Sequence, residues 1–308
     1  MTHATKVFLK LILVMSALSA CDQWRDTSKS HKMPKPVIST VQKIKDSSQV
    51  MIGYREFSMP HSYVVNGQPV GYSLDVCTAI VDELKKTLNL PNLRVTYKAV
   101  TPSSRIPELL AGNIDMECGT TTNTLERQEK VAFSQNYYMT EVRMLVKKES
   151  GIHSITDLAN KVVVTTQGTT SDKYIKQNER QAKVNVTNVF GRDNADSFAQ
   201  VESGAAMAFF MDDNILAGLI ANATHPDDFE IVGPILSTEP YAVMLNKNDP
   251  EMKNIADRAI SNMIRSGAML KSYQKWFQSP IPPKNTNLNW PINSSTKKLF
   301  AHPSDQGI

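Results

Sequence analysis

The chain has 308 residues, 41% of them hydrophobic and 21% charged, with a formal charge of +4. That length accommodates two domains with their own cores, and the composition is ordinary for a globular protein. No basic run is interleaved with aromatics, which argues against a nucleic-acid partner, and beyond the leader nothing approaches the eighteen apolar residues of a membrane span.

The first twenty residues read as a leader rather than as fold. Lys6 supplies a positive start, and Val7 to Ala20 is apolar but too short to span a bilayer. Loss of Lys6 and Lys10 with the leader takes the charge from +4 to +2. Leu18-Ser19-Ala20-Cys21 resembles a bacterial lipobox, in which Cys21 becomes the lipidated first residue. Asp22 after it resembles an inner-membrane retention signal. The expected location is therefore the periplasm, on a lipid anchor. Residues 21–47 are polar, with Pro34 and Pro36, and read as a tether.

From residue 48 strands and helices alternate. Val50 to Tyr54 reads as a strand followed at once by Arg55, and Tyr63 to Tyr72 as a hairpin turning at Asn66-Gly67. Leu74, Cys77, Val81, Leu84 and Leu88 recur at helical spacing until Pro91. Leu93 to Val100 alternates as a strand, and Arg105 to Ala111 reads as a short helix closed by Gly112. Ile114 to Glu117 is a strand that runs into Cys118-Gly119-Thr120-Thr121-Thr122-Asn123, with Arg127 beyond. A strand end followed by a helix start presents free N–H groups and hydroxyls to an anion, and an arginine adds a bidentate grip.

Tyr137 to Lys147 is extended. Val162 to Val164 leads into Thr169-Thr170-Ser171, a second strand, hydroxyl-rich turn and helix start. Val184 to Phe190 reads as a strand, Asp196 to Ser203 as a helix, and Ala206 to Met211 as a buried strand. Asp212-Asp213 then open a helix to Ala223. Tyr241 to Leu245 is a strand, and Pro250 to Ser266 and Leu270 to Phe277 are helices. The tail from Lys284, with Trp290 and Phe300, is expected to lie on the surface of the fold. The pattern predicts an α/β fold with mostly parallel sheets, whose ligands sit beyond the carboxyl ends of strands. With Cys21 assigned, Cys77 and Cys118 are left either as a disulfide or as two buried thiols.

Several motifs together resemble the periplasmic glutamate/aspartate-binding proteins of amino-acid ABC importers, solute-binding protein family 3. They are Gly71-Tyr72-Ser73-Leu74-Asp75, Arg105-Ile106-Pro107, the run from Glu117 to Asn123 with Glu126-Arg127-Gln128, Gly168-Thr169-Thr170-Ser171, Asp196-Ser197-Phe198, Ala208 to Asp213, Glu230-Ile231-Val232-Gly233, and Trp276-Phe277 with Pro280 to Lys284. The resemblance implies a two-lobed type II periplasmic-binding-protein fold with the ligand in the interlobe cleft and hinge closure around it. Lobe 1 would be residues 48–145 and 239–308, and lobe 2 residues 146–238.

The resemblance also implies roles. Arg127 pairs with the ligand's α-carboxylate, and Thr122 and Thr170 donate to it. Asp212 receives the α-ammonium, assisted by Thr120. Arg55 and Arg105 hold the side-chain carboxylate. Pro102 stands where the family has a serine, with Ser103 or Ser104 as substitutes, and Asn194 stands where it has a histidine. Three arginines and one aspartate give a site of net +2, suited to an acidic amino acid of net −1. The implied partners are L-glutamate or L-aspartate and the permease subunits, with the chain a monomer. No cofactor is implied, and the six histidines are scattered rather than set as metal ligands. Two alternatives share the fold: a sensory binding protein that docks on a receptor, and a dehydratase-type enzyme.

Overall fold

The computed structural model describes residues 39–308. The leader, Cys21 and most of the tether lie outside that range. The end of the expected tether is ordered: α1 (Thr40–Ser47) is capped by the Ser39 hydroxyl and buries Val41 and Ile44 completely. Its anchor is a shared cap. Asp249 accepts from Val41 N at 3.1 Å and from Met252 N at 3.0 Å, at the start of a helix far along the chain.

One eight-stranded sheet runs through the molecule. At one end β1 (Gln49–Tyr54) pairs in parallel with β5 (Arg94–Ala99) and with β6 (Met116–Glu117). At the other end β8 (Val162–Thr166) lies parallel to β9 (Thr187–Gly191) and to β10 (Ala208–Asp212). Between them two long antiparallel strands cross, β7 (Ala132–Lys147) and β11 (Phe229–Leu245). The sequence suggests β11 only in pieces, because Gly233, Pro234 and Pro240 interrupt any strand pattern. Pairing with β7 overrides that, with register shifts absorbing the irregularity between Val232 and Ser237. A small sheet of β2 (Phe57–Ser58), β3 (Ser62–Val65) and β4 (Gln68–Val70) follows β1.

Helices cover both ends, and the cores separate accordingly. In the first lobe α2 (Tyr72–Leu88), α8 (Pro250–Arg265) and α9 (Ala268–Phe277) pack their apolar stripes together over β1. Leu74, Cys77, Val81 and Leu84 are all buried, as their helical spacing predicts. Asp75 in the first turn of α2 accepts from Ser272 Oγ and Trp276 Nε1, both at 2.8 Å, which fixes α9 against it. A smaller cluster around Leu109 holds α3 (Arg105–Leu110) under the sheet. In the second lobe α5 (Ser171–Ala182), α6 (Asn194–Glu202) and α7 (Asp213–Asn222) enclose two clusters, one around Phe209 and one around Phe210.

Cys77 and Cys118 are joined in a disulfide that ties α2 to the end of β6. Beyond Cys118 comes α4 (Leu125–Gln128), one turn capped by Thr124. After α9 a short ribbon of β12 (Pro280–Ile281) and β13 (Thr286–Asn287) leads to α10 (Ser294–Ala301). That last helix is more than a surface tail. Thr296 is fully buried and donates to Met139 O on β7. Among the described residues no helix is long and apolar enough to cross a membrane.

Candidate functional site

Polar side chains from the ends of β1, β6, β8 and β10 converge between the lobes. Arg55 follows β1, Arg105 opens α3, Thr120 and Thr122 follow β6, Thr169 and Thr170 follow β8, and Met211 and Asp212 end β10. These eight residues line one small cavity. Six of them are expected from the sequence: Arg55, Arg105, Thr120, Thr122, Thr170 and Asp212. Arg127 stands at the rim, half-buried, donating to Thr122 O at 2.8 Å and to Gly168 O at 3.1 Å.

The charges are unusually placed. Arg55 and Arg105 are each 2% exposed, yet neither forms a salt bridge among the described residues. Arg105 reaches only Gly168 O, at 3.4 Å, while its Nε and Nη1 are buried without a protein partner. Burial, and then repulsion from Arg105, pushes Arg55 down to about 10. Burial lowers Arg105 as well, against the pull of Glu117, Tyr241 and Asp212. Arg127 is pushed down to about 10 by desolvation and then by Arg105. An arginine keeps its charge in proteins at neutral pH, so all three are cations.

Two carboxylates to which the sequence assigns no role in the site belong here. Glu117 is fully buried and accepts from Thr121 Oγ1 at 2.5 Å. Glu239 is fully buried and accepts from Thr122 and Thr170. Counting both, the arginines have Glu117, Asp212 and Glu239 near them where the sequence assigns one acid. The hydroxyls assigned to the ligand's carboxylate are thus already engaged. On β11 Glu239 and Tyr241 share one face, and Tyr241 donates to Asp212.

Asp212 is held well above the usual carboxylate range, first by burial and then by Glu239, against the stabilising Tyr241 bond. Because its folded value lies above the unfolded one (about 3.9), ligand-free protein binds the extra proton. Stability therefore falls as pH rises through the window above about 4. An ammonium seated on Asp212 reverses this. We expect the thermal midpoint of ligand-free wild type to decline relative to Asp212→Asn between about pH 4 and 8, and ligand to cancel the difference. Parallel midpoint curves for the two proteins would sink this assignment.

Three expected contributors sit elsewhere. Asn194 is fully buried, but it spans the lobes instead of lining the cavity. Its Nδ2 donates to Phe57 O at 3.1 Å and Ser58 Oγ at 3.2 Å, and its Oδ1 accepts from Thr166 at 3.0 Å. Ser103 and Ser104 turn back to Thr101 rather than inward. At Pro102 the lobes meet backbone to backbone. Gly168, at φ +84°, has Pro102 O and Ser103 N 2.8 Å from where a Cβ would stand. Gly218 on α7 makes a second such contact, with Met59 O 2.2 Å from its missing Cβ.

Residues 50–279 match the family model of bacterial extracellular solute-binding proteins, family 3. The glutamate/aspartate import solute-binding protein of Salmonella typhimurium strain LT2 is 44% identical over 271 residues, covering 88% of this chain and 90% of its own. The L-glutamate/L-aspartate-binding protein of Pseudomonas aeruginosa is 43% identical over 269 residues, 87% of this chain and 89% of its own. Among solved structures, the ancestral amino acid-binding protein AncCDT-1, a precursor of cyclohexadienyl dehydratase, superposes with TM-score 0.66 and 28% identity over 77% of this chain and 99% of its own. The family-model match over most of the chain and the 44% identity to a relative covered at 90% carry the same conclusion: this chain belongs to the bacterial extracellular solute-binding proteins of family 3.

Proposed function

We propose that this chain captures L-glutamate or L-aspartate in the cavity between its lobes and delivers it to an ABC permease. The observation that carries the reading is the pair of buried arginines, Arg55 and Arg105, with no carboxylate among the described residues bridged to either. A buried cation without a partner costs on the order of 3–5 kcal/mol, and a dicarboxylic ligand removes that cost. Arg55 and Arg105 take the side-chain carboxylate, Arg127 the α-carboxylate, and Asp212 with Thr120 the ammonium. Thr120 Oγ1 is buried and has no hydrogen-bond partner among the described residues, which suits that role.

Residues 48–145 with 239–308, and residues 146–238, are the bodies that close on one another. The protein works as a monomeric binding protein and not as an enzyme, held in the periplasm at the inner membrane by a lipid on Cys21. Mass spectrometry of the mature N-terminus tests the anchor.

Calorimetric titration tests the ligand. L-Glutamate or L-aspartate should bind about 100-fold or more tightly than L-glutamine, because the amide leaves a buried arginine unpaired. Tighter binding of glutamine than of both acids would overturn the assignment of Arg55 and Arg105.

A further inference from the structure

The turn that carries Arg127 is poorly supported by its own sequence. α4 is a single turn, Leu125–Gln128, in which no residue is fully buried and Leu125 is largely exposed. A helix of four residues does not hold itself in water, yet Arg127 has to present its guanidinium at a fixed place. Residues 304–308, beyond α10, run alongside this turn. Leu125 N, one of the amides that the start of any helix leaves unpaired, donates to Ile308 O at 2.9 Å, and Ile308 N donates back to Asn123 O at 3.1 Å. Two buried asparagines grip the same run. Asn123 Nδ2 donates to Asp305 O at 2.9 Å and to Asn136 Oδ1 at 3.0 Å, and Asn136 Nδ2 donates to Gln306 O at 2.9 Å. Asn123 Oδ1 in turn accepts from Gln128 Nε2, in the last residue of α4, at 2.8 Å.

Further contacts fix the course of the run. Asn136 N donates to Ser304 O at 2.8 Å, and Asp305 pairs with Lys253 of α8 at 2.9 Å. Gly307 lies so close that an added Cβ would stand 2.8 Å from Gln128 Nε2 and 3.0 Å from Asn123 Oδ1. All these partners belong to the first lobe, so the arrangement does not depend on how far the lobes are closed. Arg127 is tied to the residues on either side of Asn123: its N donates to Thr124 Oγ1 at 3.1 Å and its Nη1 to Thr122 O at 2.8 Å. We propose that residues 304–308 are a strap that positions the Arg127 turn, so that the grip on the ligand's α-carboxylate depends on a segment that does not itself line the cavity. The strap supplies by hydrogen bonds the support that α4 does not get from apolar burial.

The proposal rests on the amino-acid reading above, in which Arg127 takes the α-carboxylate. Calorimetry with L-glutamate is run on Ile308→Pro, which deletes the N–H given to Asn123 O, on Gly307→Val, which wedges the strap off the turn, and on the two combined. The combined variant is expected to weaken binding by roughly 5- to 50-fold, the worth of one or two hydrogen bonds. That loss should vanish when Arg127→Met is already present and persist in full beside Arg105→Met, because only Arg127 is held by the strap. A merely structural role would treat both backgrounds alike. Unchanged affinity overturns the proposal, and so does a loss that adds in full to Arg127→Met. Amide exchange in the ligand-free protein gives a second readout that needs no amino acid. Exchange at Leu125 and Arg127 should speed by about 10-fold or more in the combined variant, with β1 unaffected, and unchanged exchange at Leu125 overturns the strap. If wild type binds neither acid while exchange speeds as expected, the amino-acid reading has failed and the strap's hold on the turn stands. Should the combined variant fail to fold, Ile308→Pro alone carries both measurements.

Discussion

Arg105→Met is expected to weaken L-glutamate binding by about 100-fold or more and at the same time to raise the melting temperature of the ligand-free protein. The two effects have one origin. Arg105 is buried with two of its nitrogens unpartnered. It also repels Arg55 and Arg127, lowering the affinity of both for their protons. A methionine of similar length removes the repulsion and also the desolvation cost, which outweighs the attraction of Glu117, Tyr241 and Asp212 for Arg105. For a chain of this size each kcal/mol moves the midpoint by about 2–4 °C. The loss falls wholly on the liganded state, where a carboxylate is left without its grip. Calorimetry and a melting curve, each with and without L-glutamate, separate the two. A variant that melts several degrees lower and still binds would place Arg105 in the scaffold and not in the site.

Gly218→Ala should likewise uncouple stability from function, by a steric route. The residue lies inside α7, where alanine in place of glycine favours the helix by about 1 kcal/mol. The added methyl would stand 2.2 Å from Met59 O and 2.8 Å from Met59 C, across the boundary between the lobes. Overpacking of this kind costs about 1–3 kcal/mol, and only the closed arrangement bears it. Affinity should therefore drop by roughly 5- to 150-fold, while the ligand-free protein melts no lower than wild type. Unchanged affinity would mean that ligand is held without the lobes meeting at Met59.

Much of this was legible in the sequence, for identifiable reasons. The amphipathic stripe of α2 and the long helix α8 follow from helical spacing, because each buries one face. The site residues stand at strand ends, where the chain changes from alternating to polar. What was not legible depended on partners distant in sequence. α1 is a helix because Asp249 caps it and the first core receives Val41 and Ile44. β11 is one strand because β7 lies beside it. Asn194 was expected in the ligand's pocket, but its position depends on how closely Phe57 approaches across the lobe boundary. Glu239 escaped notice because a glutamate beside a proline reads as a turn, and only the fold brings two threonines to it.

The discontinuity of the first lobe has a consequence for how the protein is made. Its main core joins residues from Val41 to Tyr138 with residues from Tyr241 to Ile281, whereas the clusters of the second lobe fall within residues 144–236. A chain emerging from its N-terminus can complete the second lobe while the first still lacks α8 and α9. The wait spans on the order of a hundred residues of chain entering the periplasm. During it Ile80, Val81 and Leu84 have no helix to cover them. Cys77 and Cys118 both lie ahead of that gap, so the crosslink can already restrain the half-built lobe before its remaining helices arrive.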